Sequence, residues 1–136
     1  MKKSFALLTL FFVYTSVAST VSDYSFEGSH FVASYKACDQ TALLDIPHLR
    51  QAMLKAAEAS GAQVLNYQSH EFPGGGFTMV IMLSESHASI HTYPEFGACF
   101  VDLFTCGTTC SSSNFDRSLR AYLKPEYVDG QLIERK

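Results

Sequence analysis

The chain has 136 residues, a formal net charge of -3, 47% hydrophobic residues and 17% charged residues. These values fit one packed domain and exclude both a disordered chain and a strongly basic nucleic-acid binder.

The chain opens with Met1-Lys2-Lys3, an apolar run from Phe5 to Tyr14, and small residues at Ser16 and Ala18. A basic start, a short apolar run and a small-residue site predict a secretory signal peptide over residues 1–18. The run falls short of the ~20 apolar residues that span a bilayer, so no stable membrane span is expected once the leader is removed. Residues 19–27, rich in Ser, read as a linker, and residues 28–136 as a single domain.

His30 to Lys36 alternates and predicts a first strand. Asp45 and Pro47 mark a helix start, by side-chain capping and by proline's preset φ. Leu49 to Ser60 carries an apolar face at helical spacing, and Gly61 stops it. Ala62 to Gln68 predicts a strand, and Pro73-Gly74-Gly75-Gly76 a loop. The apolar run Phe77 to Leu83 predicts a central strand. A short strand follows at Ser89 to Thr92, ended by Tyr93-Pro94, then another at Ala98 to Thr105. A helix is expected over Asn114 to Leu123 and a closing strand over Tyr127 to Glu134. Strands neighbouring in sequence and outnumbering helices predict an α+β fold, a two-layer sandwich with a mainly antiparallel sheet and helices on one face.

Cys38, Cys99, Cys106 and Cys110 permit disulfides without showing them. Their spacing lacks the paired ligands of a structural zinc site, so no metal is expected. Chemistry-bearing residues concentrate between Leu83 and Gly107, where Glu85, Ser86, His87, His91, Glu95, Asp102 and Cys106 supply hydroxyl, imidazole, thiol and carboxylate groups. Taken singly, each is better explained as a solvated or structural residue. Ser86 lacks the Gly-x-Ser-x-Gly elbow of a hydrolase.

The run Leu83-Ser84-Glu85-Ser86-His87-Ala88-Ser89-Ile90-His91-Thr92-Tyr93-Pro94-Glu95, followed by Asp102-Leu103-Phe104-Thr105-Cys106-Gly107, resembles the signature of the short prokaryotic S-adenosylmethionine decarboxylase proenzymes. Gly28-Ser29-His30, Cys38-Asp39 and Ser60-Gly61-Ala62 extend the likeness, which covers residues 28–123. The resemblance implies that Ser86 attacks the carbonyl of Glu85 and that the chain splits between them. Ser86 then becomes a covalently bound pyruvoyl group, with neither metal nor pyridoxal phosphate. That group would hold substrate as a Schiff base. By the same resemblance His91 assists processing by proton transfer and Thr78 supports it. Cys106 is the general acid of decarboxylation, Phe72 stacks on adenine and Glu95 binds ribose hydroxyls. The implied partners are S-adenosylmethionine and a second copy in a homodimer of processed protomers. The implied role is to supply the aminopropyl donor for spermidine and other polyamines.

The sequence departs from the family pattern in three places. Tyr93 stands where the family has Trp, the loop Phe72 to Thr78 is richer in glycine, and the leader precedes a domain whose relatives are cytoplasmic. An exported or periplasmic location is expected if the leader is real, and a cytoplasmic one otherwise. Export favours a runner-up substrate, ornithine or arginine. A third alternative is a processing-deficient relative that binds without catalysis.

Overall fold

The computed structural model describes residues 26–136, so the leader and most of the linker lie outside the described residues. The elements in chain order are β1 (Gly28–Lys36), α1 (Gln40–Leu44), α2 (Ile46–Ala59), β2 (Val64–Glu71), β3 (Phe77–Leu83), β4 (Ser86–Tyr93), β5 (Ala98–Cys106), α3 (Ser112–Leu123) and β6 (Tyr127–Arg135). A single turn of 3-10 helix, Pro94–Phe96, joins β4 to β5.

Alternation along the strands explains why a sheet forms and which way it faces. In β3, Phe77, Met79, Ile81 and Leu83 are buried while Val80 and Met82 are exposed. The same period continues in β4 with Ala88, Ile90 and Thr92 buried, and in β5 with Cys99, Val101, Leu103 and Thr105. Period-two burial places all of these on one face. Leu49, Met53 and Ala56 of α2 and Phe115, Leu119 and Leu123 of α3 cover that face and complete the core. Each large side chain withdrawn from water there contributes about 1.5–3 kcal/mol. The six strands form one antiparallel sheet in the order β2-β3-β4-β5-β1-β6. The α+β sandwich expected from the sequence is the fold observed.

The helix ends follow local chemistry. The Asp45 carboxylate accepts from the His48 backbone N–H at 3.3 Å and contacts His48 Nδ1 at 2.7 Å. Gly61, with φ of 93°, closes α2, and a Cβ there would press within 3.3 Å of the Thr109 carbonyl. Ser111 caps α3 through Asn114 N–H, and Lys124 ends it in the left-handed region.

Several boundaries differ from expectation. α1 has no apolar periodicity to announce it; it forms because the Asp39 carboxylate accepts from the N–H groups of Thr41 and Ala42. β4 begins at Ser86 rather than Ser89, because pairing with β5 carries the polar residues Ser86 and His87 into the ladder. β2 runs from Val64 to Glu71, three residues past the expected end, with a register shift between Val64 and Asn66. Gly28, His30 and the rest of β1 lie between β5 and β6, so β1 is an interior strand. Among the described residues, no helix is long and apolar enough to cross a membrane.

Candidate active site

Among the described residues, no helix covers the second face of the sheet. By alternation it carries His30 on β1, Thr78, Val80 and Met82 on β3, His87, Ser89, His91 and Tyr93 on β4, and Phe100, Asp102 and Phe104 on β5. Most of the residues singled out in the sequence therefore meet on or beside one open surface. They do so as two separate groups.

The first group surrounds the junction of Glu85 and Ser86. Ser86 is the first residue of β4 and pairs with Thr105, so the end of β5 runs alongside it. The backbone N–H of Cys106 donates to the Glu85 carbonyl at 3.0 Å. Ser86 Oγ lies 3.1 Å from His87 Nδ1. The Glu85 carboxylate accepts from Gln63 N–H at 3.0 Å, and Ser84 N–H donates to the Gln63 carbonyl at 2.9 Å, so the N-terminal side of the junction is tied to the turn after α2. Partial burial pushes the Glu85 carboxyl up, but hydrogen bonds from Ser84 and Gln63 outweigh it and hold the group below the ordinary glutamate range. Cys106 also borders a cavity of about 430 Å³ shared with Gly28, Phe104 and Arg135. The Arg135 guanidinium sits 4.4 Å above the Phe104 ring, and a Cβ on Gly28 would lie 2.5 Å from that ring, so only glycine leaves Phe104 in place.

The second group lies at the far end of β4. Thr78 pairs with His91 across β3 and β4, and the Thr78 hydroxyl contacts His91 Nδ1. The Phe72 ring packs edge-on to His70 at 4.6 Å and to His91 at 5.8 Å, and Tyr93 packs on His91 at 4.8 Å. The glycine-rich loop is a tight turn, with Phe72 N–H donating to the Gly76 carbonyl at 2.7 Å. It packs closely on α1, where a Cβ on Gly75 would come within 2.6 Å of the Leu44 side chain, and it lies near Pro94 of the 3-10 turn that carries Glu95. Phe72 therefore packs on His91, while Glu95 is exposed on the 3-10 turn that follows β4.

The two groups stand five residues apart on β4, about 17 Å at 3.3–3.4 Å per residue. Thr78, His91 and Phe72 are brought together, with Glu95 on the adjoining 3-10 turn, and Glu85, Ser86 and Cys106 gather elsewhere, but one protomer does not join the two sets. The four cysteines are free. Burial, reinforced by the Glu85 charge, raises the Cys110 thiol. Two features were not foreseen. One is the Cys106 N–H held against the Glu85 carbonyl, a backbone contact that sequence does not display. The other is His30, which pairs with Phe104 beside His87; the sequence marks it by an alternating strand and by the Gly28-Ser29-His30 likeness, neither of which gives it a role.

An α+β sandwich with hydroxyl, thiol and imidazole groups at or beside one uncovered sheet face defines a candidate catalytic surface. Residues 29–136 match the family model described as S-adenosylmethionine decarboxylase. The chain belongs to the S-adenosylmethionine decarboxylase family. Its similar relatives include the S-adenosylmethionine decarboxylase proenzyme of Methanococcus maripaludis strain C7, 37% identical over 79% of this chain and 88% of that protein. The proenzyme of Brevibacillus brevis is 41% identical over 83% of this chain and 85% of that one. Among solved structures, the adenosylmethionine decarboxylase of Aquifex aeolicus superposes with a TM-score of 0.69 at 30% identity, covering 79% of this chain and 89% of that one.

Proposed function

We propose that this chain cuts itself between Glu85 and Ser86, converts Ser86 to a pyruvoyl group and decarboxylates S-adenosylmethionine, yielding the aminopropyl donor for polyamine synthesis. The observation that carries this proposal is the hydrogen bond from Cys106 N–H to the Glu85 carbonyl. When Ser86 Oγ adds to that carbonyl carbon, negative charge develops on the carbonyl oxygen, where a fixed backbone donor is most effective. The C–N bond to Ser86 then breaks as its nitrogen takes a proton, leaving an ester between the Glu85 carboxyl and Ser86 Oγ. Loss of the Ser86 α-proton expels the Glu85 carboxylate and separates the chains. Water then releases ammonia from the new N-terminus and leaves the pyruvoyl group. Its carbonyl supplies the electron sink for loss of CO₂.

The surrounding residues suit the tasks this assigns them. Cys106 follows the strand partner of Ser86, borders a cavity and can deliver a proton through its thiol. Phe72 offers an aromatic face for adenine, and Glu95 offers two acceptor oxygens for the two hydroxyl donors of a ribose. His91 and Thr78 form a hydroxyl–imidazole pair suited to moving a proton.

The separation of about 17 Å along β4 points to a homodimer in which one protomer's His91 group serves its partner's Ser86. The open face supports this arrangement, because it exposes Val80, Met82, Phe100 and Ile133. An apolar surface of that kind is characteristic of an interface. A two-fold pairing of open faces would lay the His91 end of one strand over the Ser86 end of the other. The predicted leader lies outside the family match, which begins at residue 29. We place the domain in the compartment where S-adenosylmethionine is made, which is the cytoplasmic alternative.

The test is the mass of the purified protein followed by CO₂ release. Two chains divided between Glu85 and Ser86, with release from S-adenosylmethionine, are expected. A single intact chain would reject self-processing and favour a binding relative. Release from ornithine or arginine alone would reject the substrate.

A further inference from the structure

His30, His87 and Asp102 form a second constellation on the open face, beside Ser86 but separate from the decarboxylation groups. β1 and β4 flank β5, and both histidines pair in register with Phe104. Each therefore stands one pleat from Asp102, on the same face. One donor atom from each of the three residues lies within 4.8 Å of the other two. His30 Nε2 is 3.8 Å from Asp102 Oδ1, and His87 Nε2 is 3.9 Å from the same oxygen. These separations are too long for hydrogen bonds. His30 Nε2 is buried and has no hydrogen-bond partner, which is costly for an imidazole nitrogen with nothing to bind.

We propose that His30, His87 and Asp102 bind a divalent transition-metal ion of the zinc type. Zinc with nitrogen and oxygen ligands at about 2.0–2.2 Å sets its donor atoms about 3.3–3.5 Å apart in a tetrahedron. Closing the three residues onto an ion requires movements of about 0.5 Å, within the reach of side-chain rotation. Two imidazoles and one carboxylate are a recurrent ligand set, with the fourth position left to water. The supporting contacts are also in place. Ser89 Oγ donates to Asp102 Oδ2 at 2.5 Å, which fixes the carboxylate and leaves Oδ1 toward the histidines. His87 meets Ser86 Oγ through Nδ1, so Nε2 is the nitrogen left to a metal. Outer hydrogen bonds of this kind orient ligands and fix the imidazole tautomer. None of its ligands is assigned a step in the proposed catalysis, and the Ser86 Oγ contact of His87 belongs to the uncut chain.

The experiment is calorimetric titration of the chelator-treated full chain with Zn²⁺ alone, together with the absorption spectrum of the Co²⁺-loaded chain. One ion per chain is expected, and His30→Ala and Asp102→Asn should each weaken binding at least tenfold. His48→Ala, which removes the exposed Asp45–His48 pair, should leave binding unchanged. The Co²⁺ spectrum should lack a thiolate charge-transfer band. Asp102→Asn keeps the shape of the side chain and its Ser89 partner, so it decides the matter if His30→Ala fails to fold. Absence of binding, binding unchanged by Asp102→Asn, or a thiolate band assigning the ion to Cys106 or Cys110 would overturn the site.

Discussion

If His91 acts on Ser86 across a dimer, a defect in one can be repaired by a partner that carries the other. His91→Ala removes an imidazole whose described contacts are the Thr78 hydroxyl and the rings of Phe72 and Tyr93. The strand hydrogen bonds of β4 involve only backbone, so the fold should survive. Loss of a positioned acid or base slows a step by about 100- to 10,000-fold, and the variant should remain almost uncut over a time in which wild type matures. Ser86→Ala lacks the attacking oxygen and should never cut. The two chains, distinguished by tags of different mass, are then expressed together in equal amounts. Random pairing places about half of the His91→Ala chains opposite a Ser86→Ala chain. Each such pair holds one site with an intact Ser86 from one subunit and an intact His91 from the other. About half of the His91→Ala chains should therefore cut at nearly the wild-type rate, read by mass spectrometry, while Ser86→Ala chains stay whole. No rescue would refute the shared site, and would require the chain to fold back across about 17 Å of its own strand. Normal cutting of His91→Ala alone would remove His91 from the reaction.

Cys106→Ala keeps the backbone N–H that holds the Glu85 carbonyl, so cleavage should persist while CO₂ release falls by about 100-fold or more. Glu95→Gln retains size but loses charge, and should raise KM for S-adenosylmethionine about tenfold with little change in cleavage, as measured by steady-state kinetics. Tyr35 is buried and donates to Asp116 Oδ1 at 2.6 Å; Tyr35→Phe should lower stability by about 1.5–3 kcal/mol in urea unfolding. Burial and then the Glu85 charge raise the Cys110 thiol. Its reactive thiolate should appear only at higher pH than in the unfolded chain, so the alkylation profile should shift to the alkaline side on folding.

Much of the fold was legible because burial leaves a period in the sequence. Phe77 to Leu83 and Ala98 to Thr105 were found as strands within a residue or so of their observed ends. α1 was not found, since five residues capped by one aspartate carry no period. β4 was underestimated because Ser86 and His87 are polar and join the sheet through tertiary pairing. The residues of the candidate site were legible through their resemblance to a long family motif. Their division into two groups was not, because short spacing in sequence suggests proximity. Along an extended strand, five residues instead mean opposite ends of a surface. The His30–His87–Asp102 cluster was equally hidden, since it depends on which strands flank β5.

The proposed cut would leave two polypeptides sharing one sheet. The first product would hold β1, β2 and β3 with the first two helices, and the second would hold β4, β5, β6 and α3. In the sheet these alternate: β2 and β3 from one product, β4 and β5 from the other, β1 from the first, β6 from the second. The two polypeptides would be woven like the fingers of clasped hands. Neither could depart without parting three strand boundaries at once, and neither has a complete sheet to fall back on. A break in the covalent chain would then be mechanically silent. The mature protein should unfold in one transition, and its fragments, once separated, should fail to fold alone.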